Sequence, residues 1–182
     1  MINIYLVRHG EAAHSWADSA DSELSAHGHQ QALSVVKNFE NQDPLKIRSS
    51  PLLRARETAT PLAKKWREPI FIDDRFKEIP TDVQQKNRRK WLQEIASLRW
   101  TDVSPKLREW RVDSWEALIA INHDTVIFTH FMVINSLIAQ LRDDDRLVLF
   151  QPDNASITHL LVDEKGGVRL KSLGQEKATL IS

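Results

Sequence analysis

The chain opens on Ile2 to Val7, an apolar run broken by one Asn. Such a run marks a strand covered on both faces. Asp124 to Phe128 repeats the pattern, and Leu45 to Ile47 and Ile70 to Ile72 are shorter strand candidates. Between them the apolar period changes. Ala32, Val35, Val36 and Phe39 predict a helix from about Ser25 to Phe39. Leu52, Ala55, Ala59, Leu62, Ala63 and Trp66 predict a second, started by Ser50 at the N-cap and Pro51 at the first helical position. Trp91, Ile95 and Leu98 suggest a third. Leu107, Trp110, Leu118 and Ile121 suggest a fourth, with a Ser104-Pro105 start. Val133, Leu137, Ile138 and Leu141 mark a helix after the Asp124 strand. Ser156 to Val162 and Val168 to Leu173 pair as a hairpin across Glu164-Lys165-Gly166-Gly167. Asn154-Ala155-Ser156, just ahead of it, either points into a pocket or reads as a turn with local side-chain to backbone bonds; the turn is the simpler expectation.

Strand and helix alternate through most of the chain. That order predicts an α/β fold, a three-layer α/β/α sandwich whose sheet is mainly parallel with an antiparallel edge. The 182 residues show no repeat, low-complexity tract or linker, so one domain over residues 1–182 is expected. Composition narrows the classes. Lys plus Arg total 25 and Asp plus Glu total 25, giving a formal net charge of zero. There is no basic excess to draw the chain to nucleic acid or to an anionic membrane, and neither partner is expected. At 41% hydrophobic and 27% charged the chain reads as soluble and globular. Thr125 to Leu141 has no charged residue, but Thr129, His130, Asn135, Ser136 and Gln140 make it a buried strand running into a helix rather than a membrane span. The absence of cysteine excludes disulfides, thiolate nucleophiles and Cys-ligated metal. With no signal-like start, it fits a cytoplasmic location.

In a doubly wound sheet, ligands bind beyond the carboxyl ends of the strands. Three polar groups stand there abruptly after apolar runs: Arg8-His9-Gly10-Glu11, Ser49 to Arg54, and Thr129-His130. Forked guanidinium groups suit the oxygens of an anion such as carboxylate or phosphate. An imidazole beside guanidinium charge is disfavoured as imidazolium, so His9 should remain neutral and nucleophilic.

These residues resemble a known family. Leu6-Val7-Arg8-His9-Gly10-Glu11 looks like the signature of the histidine phosphatase superfamily, phosphoglycerate mutase-like branch. Leu24-Ser25-Ala26-His27-Gly28-His29-Gln30-Gln31-Ala32 and Ser50-Pro51-Leu52-Leu53-Arg54-Ala55-Arg56-Glu57-Thr58-Ala59 are similar to two further blocks of that family, in the family's order. Phe128-Thr129-His130 falls where its second histidine is expected. The resemblance implies a phosphoglycerate mutase-like fold and a metal-independent phosphatase without cofactor. His9 would carry the phosphoryl group, Arg8 and Arg54 would bind phosphate (Arg56 being the rival), and His130 would donate to a phosphoryl oxygen. The proton donor would be a carboxyl after the third strand, Glu78 first, with Asp73, Asp74 and Asp82 as rivals. Partners would be a small phosphorylated substrate or a phosphohistidine protein, and oligomeric state stays open.

The chain departs from the family in three places. Ala12 and Ser15 replace a Ser/Thr and an Asn, leaving Ser15 as a weaker phosphate donor. Phe131 follows the second histidine where glycine is usual; it walls the pocket or packs inward. Ile79-Pro80-Thr81-Asp82 lacks the Gly/Trp-rich stretch that often follows the acid. The chain is also shorter than the glycolytic mutases, which favours a compact phosphatase. Only residues from about 82 to 121 could form a helical cap-like insertion; its Lys/Arg and Trp residues read either as a cap for an anionic, flat substrate or as two amphipathic helices. The seven histidines suggest no metal site: there is no His-Glu-x-x-His, and His27 and His29 diverge at a helix start. Two other readings stay open, a protein phosphohistidine phosphatase and a catalytically silent phosphate-binding scaffold.

Overall fold

The computed structural model describes residues 1–15 and 19–176. Its strands are β1 (Ile2–Arg8), β2 (Lys46–Ser49), β3 (Ile70–Ile72), β4 (Thr125–Thr129), β5 (Ile157–Val162) and β6 (Val168–Ser172). They form a sheet in the order β3-β2-β4-β1-β5-β6. β3, β2, β4 and β1 run parallel, while β5 and β6 make the antiparallel edge. The helices are α1 (Ala26–Lys37), α2 (Leu53–Trp66), α3 (Arg88–Ala96), α4 (Pro105–Ile119) and α5 (Phe131–Leu141).

Strand alternation sorts the side chains to two faces. Ile4, Leu6 and Ile127 pack with Leu118, Val133, Leu137 and Ile138 under α4 and α5. Val7, Val126 and Phe128 pack with Val35, Ala55, Ala59 and Leu62 under α1 and α2. β4 is buried at every position, as its uninterrupted apolar run demands. The result is a three-layer sandwich. A third cluster gathers Ile79, Ile95, Trp100, Val103 and Leu107 against Met132, Ala139 and Leu147, so the segment carrying α3 and α4 rests on the outer side of α5.

The predicted elements stand with two adjustments. β2 begins one residue later than expected and runs on to Ser49, within reach of Phe128 on β4. The second helix does not start at Ser50-Pro51. Its N-cap is Leu52, and Ser50 continues the strand direction, its N–H donating to Phe128 O at 2.9 Å. Leu52 has no side-chain acceptor to offer, and the Leu53 N–H is capped from a distance by Asp21 Oδ1 at 2.6 Å. By contrast α1 uses Ser25 as its N-cap, the hydroxyl accepting from Gly28 N at 3.0 Å. α4 does begin at Ser104-Pro105.

Candidate active site

Parallel register brings the polar groups together. Arg8 on β1 is level with Thr129 on β4, and Ser49 on β2 with Phe128 on β4. The next residues, His9, His130 and Ser50, therefore leave the sheet at one end, side by side. His9 N donates to Thr129 O at 3.0 Å, and the two imidazole centres are 5.2 Å apart. Arg54, on the first turn of α2, comes in from the flanking layer, and its Nε–H donates to His9 Nε2 at 3.2 Å.

The tautomer of His9 follows from its partners. Nδ1 lies 2.7 Å from Gly10 O, and a carbonyl only accepts, so the ring proton sits on Nδ1. Nε2 then carries the lone pair that Arg54 approaches. His9 is 8% exposed, Arg54 2% and His130 0%. Burial first, then the charges of Arg54 and Arg8, hold His9 well below the ordinary histidine range. Burial and Arg54 do the same to His130. Both rings are neutral at neutral pH.

The cup has donors to spare. Burial lowers both Arg8 and Arg54, yet guanidinium remains the charged form. Among the described residues, Arg8 Nε, Arg54 Nη1 and His130 Nδ1 are buried without a hydrogen-bond partner. Unpaired buried donors are costly, and the two free guanidinium N–H groups at one strand-end cluster suit an anion. Arg56 takes no part in this set: it is exposed on α2.

Glu78 is the carboxyl the fold brings here. It follows a short turn after β3 and is half-buried, its Oε1 accepting from Ile79 N at 2.9 Å. Burial pushes its pKa up, against the pull of that N–H and of Arg54 and Arg8. Its rivals are elsewhere. Asp73 is ion-paired to Arg48 and Arg75, at 3.1 and 2.8 Å. Burial would raise its carboxyl, but the Arg75 hydrogen bonds outweigh that and hold it below the ordinary range. Asp74 is exposed, and exposed Asp82 pairs with Lys106 at 2.5 Å. Ser15 is exposed on the loop after β1 and adjoins residues outside the description.

Several contacts of the site could not be assigned from the sequence. The Ser50 hydroxyl lies 2.7 Å from His130 Nε2 and fixes that ring. Asn154 sits in the expected turn, its N–H donating to Asp153 Oδ1 at 2.8 Å, and its Nδ2 also donates to His9 O at 3.0 Å. Ala155, held at φ 59°, donates its N–H to Arg8 O at 3.0 Å. A left-handed alanine is strained, and here it clamps the backbone at Arg8 and His9. The only visible signal was a polar cluster at the mouth of a strand. Thr58 Oγ1 accepts from Gly10 N at 3.0 Å, and a Cβ on Gly10 would stand 2.7 Å from Gly28 O, so glycine lets the loop after β1 lie against α1. Among the described residues, no three His, Asp or Glu side chains gather as a metal-binding group, and no helix is long and apolar enough to cross a membrane.

Comparison with known proteins places the fold. Mycobacterial glucosyl-3-phosphoglycerate phosphatase superposes with a TM-score of 0.74 at 22% identity, over 94% of this chain and 98% of that one. A phosphoserine phosphatase of Entamoeba histolytica, solved with 3-phosphoglyceric acid, gives 0.71 at 24% identity over 97% and 98%. In sequence, the probable phosphoglycerate mutase GpmB of Escherichia coli is 37% identical over 90 residues, 47% of this chain and 42% of that protein. A probable phosphatase of Schizosaccharomyces pombe is 38% identical over 74 residues, 38% of this chain and 26% of that protein. The matched stretches thus span less than half the length of these curated relatives. The model of the histidine phosphatase superfamily (branch 1) matches residues 4–175, and the chain belongs to that family.

Proposed function

We propose that the protein is a metal-independent phosphatase that hydrolyses a small phosphomonoester through a phosphohistidine on His9. The observation that carries this reading is the locked tautomer: Nδ1–H on Gly10 O leaves the Nε2 lone pair facing Arg54. As the Arg54 Nε–H leaves Nε2 for a phosphoryl oxygen, Nε2 attacks phosphorus and the P–O bond to the leaving group breaks. Arg8, Arg54 and His130 hold the phosphoryl oxygens, whose charge persists through the transition state. Glu78, which burial shifts toward its protonated form, gives its proton to the leaving alkoxide. Its carboxylate then takes a proton from water. The hydroxide so formed attacks phosphorus, the N–P bond breaks, and the electron pair returns to Nε2. One difficult displacement becomes two easier ones. Ser15 is exposed, so the proposal takes no step through it.

The phosphatases among the structural neighbours support hydrolysis over return of the phosphoryl group to a product. We take residues 1–182 as one domain, with about 82–121 as a helical cap-like insertion beside the site. Its cluster reaches Ile79, next to Glu78, and Met132, two residues after His130. The test is turnover of an aryl phosphate by purified protein. Activity that is lost in His9→Ala and indifferent to chelator supports the reading. Phosphate binding with no turnover of any phosphoester overturns it.

A further inference from the structure

Arg8 is seated by two walls, one on α5 and one on the loop ahead of β5. The guanidinium carbon lies over the Phe131 ring, 5.3 Å from its centre, and Nη1 donates to Pro152 O at 2.7 Å. Phe131 is the first residue of α5, while Pro152 belongs to the loop ahead of β5. Asn135, fully buried one turn along α5, joins the two walls. Its Nδ2 donates to Phe131 O at 3.1 Å, and its Oδ1 accepts from Leu149 N at 2.8 Å and Phe150 N at 3.2 Å. The Phe131 ring is also packed on the cluster of Ile79, Ile95 and Trp100, so it is held from behind. A guanidinium stacked on its face and tied at one Nη has little rotational freedom left. Its Nε remains buried and unpartnered among the described residues.

We propose that Phe131, backed by Asn135, is a positioning residue that fixes the plane of Arg8 for phosphate. This rests on the reading of Arg8 as a phosphate ligand. A ring face attracts guanidinium and spares the entropy of ordering a long side chain when the anion arrives. A glycine at position 131 would offer no such surface.

The test is a double-mutant cycle read by calorimetry with inorganic phosphate, alongside KM for an aryl phosphate. Phe131→Leu should weaken phosphate binding and raise KM roughly three- to thirty-fold, the range of a partly desolvated cation–ring contact. Phe131→Tyr, which keeps the ring, should restore both. In an Arg8→Ala background, Phe131→Leu should have no further effect. Should Phe131→Leu fail to fold, Phe131→Met supplies a chain of similar volume without a ring face. Phosphate affinity unchanged in Phe131→Leu, or weakened equally with and without Arg8, overturns the inference. Wild-type protein that binds phosphate with the expected pattern yet turns over no phosphoester supports this inference and overturns the proposed function. Wild-type protein that binds no phosphate overturns both.

Discussion

Two arginine clusters in this molecule use the same side chains to opposite ends. At the β2–β3 edge, Arg48 and Arg75 close on the carboxylate of Asp73, and the hydrogen bonds raise Arg75 above its ordinary range. At the strand ends of β1 and β4, Arg8 and Arg54 are buried beside two imidazoles, and burial lowers them. Among the described residues, neither Arg8 nor Arg54 is in a salt bridge. A paired arginine at a wet edge spends its field on its neighbour and contributes little. An arginine buried against neutral rings keeps its field for an incoming anion, at a cost in stability that only function explains. What separates the two sites is the location of the carboxylates, not the number of cations.

The comparison can be broken by substitution. The largest effect should come from His9→Ala, with a fall in aryl phosphate turnover of about 10⁴-fold or more, as for removal of a covalent nucleophile. Circular dichroism should show the fold intact. Arg54→Met should lower kcat/KM by roughly 10²- to 10³-fold, the scale of a lost transition-state donor. Arg75→Met, at the other cluster, should leave kcat/KM unchanged. Equal losses in the two variants would erase the distinction drawn above.

Glu78→Gln should slow alkyl phosphates by about 10²- to 10⁴-fold and aryl phosphates far less, because a good leaving group needs no proton. Equal slowing of both substrates would move the acid role to another residue.

Stability against pH sharpens the contrast further. His9 and His130 are depressed below their ordinary value of 6.5, so below that pH the unfolded chain binds protons that the native state refuses. Each should remove about 1.4 kcal/mol per pH unit on acidification. Glu78, raised above 4.5, acts with the opposite sign between 4.5 and its native value, because there the native state holds the extra proton. His159, which burial and Lys171 hold below its ordinary range, adds to the same loss, and Glu78 offsets one histidine where the windows overlap. Urea midpoints from pH 7 down to 5 should fall on this slope, and His130→Gln should flatten it. The smallest effect belongs to the surface cluster: Asp73→Asn should cost about 0–1 kcal/mol, since the amide keeps its shape and Arg75 stays half-exposed. A flat midpoint in wild-type protein would place both rings in water.

The sequence made the architecture and the two histidines legible because each rests on a local pattern. Continuous apolar runs gave β1 and β4, and the abrupt polar residues after them gave Arg8-His9 and His130. Ser50 was misjudged as a helix cap because Ser-Pro is a local signal, while the bond that holds it comes from Phe128, far along the chain. Asn154 reaches back to His9 across the whole fold, and no spacing rule can show such a contact. Glu78 was separable from Asp73 only once Arg48 and Arg75 were seen to have taken the latter.

The central claim is that His9 Nε2 accepts the phosphoryl group. Rapid acid quench of the protein turning over an aryl phosphate, followed by peptide mass mapping, tests it most directly. The account predicts an acid-labile phosphoryl group on the peptide that carries His9, absent from His9→Ala. Steady turnover in His9→Ala, or a phosphoryl group on any other side chain, would contradict it.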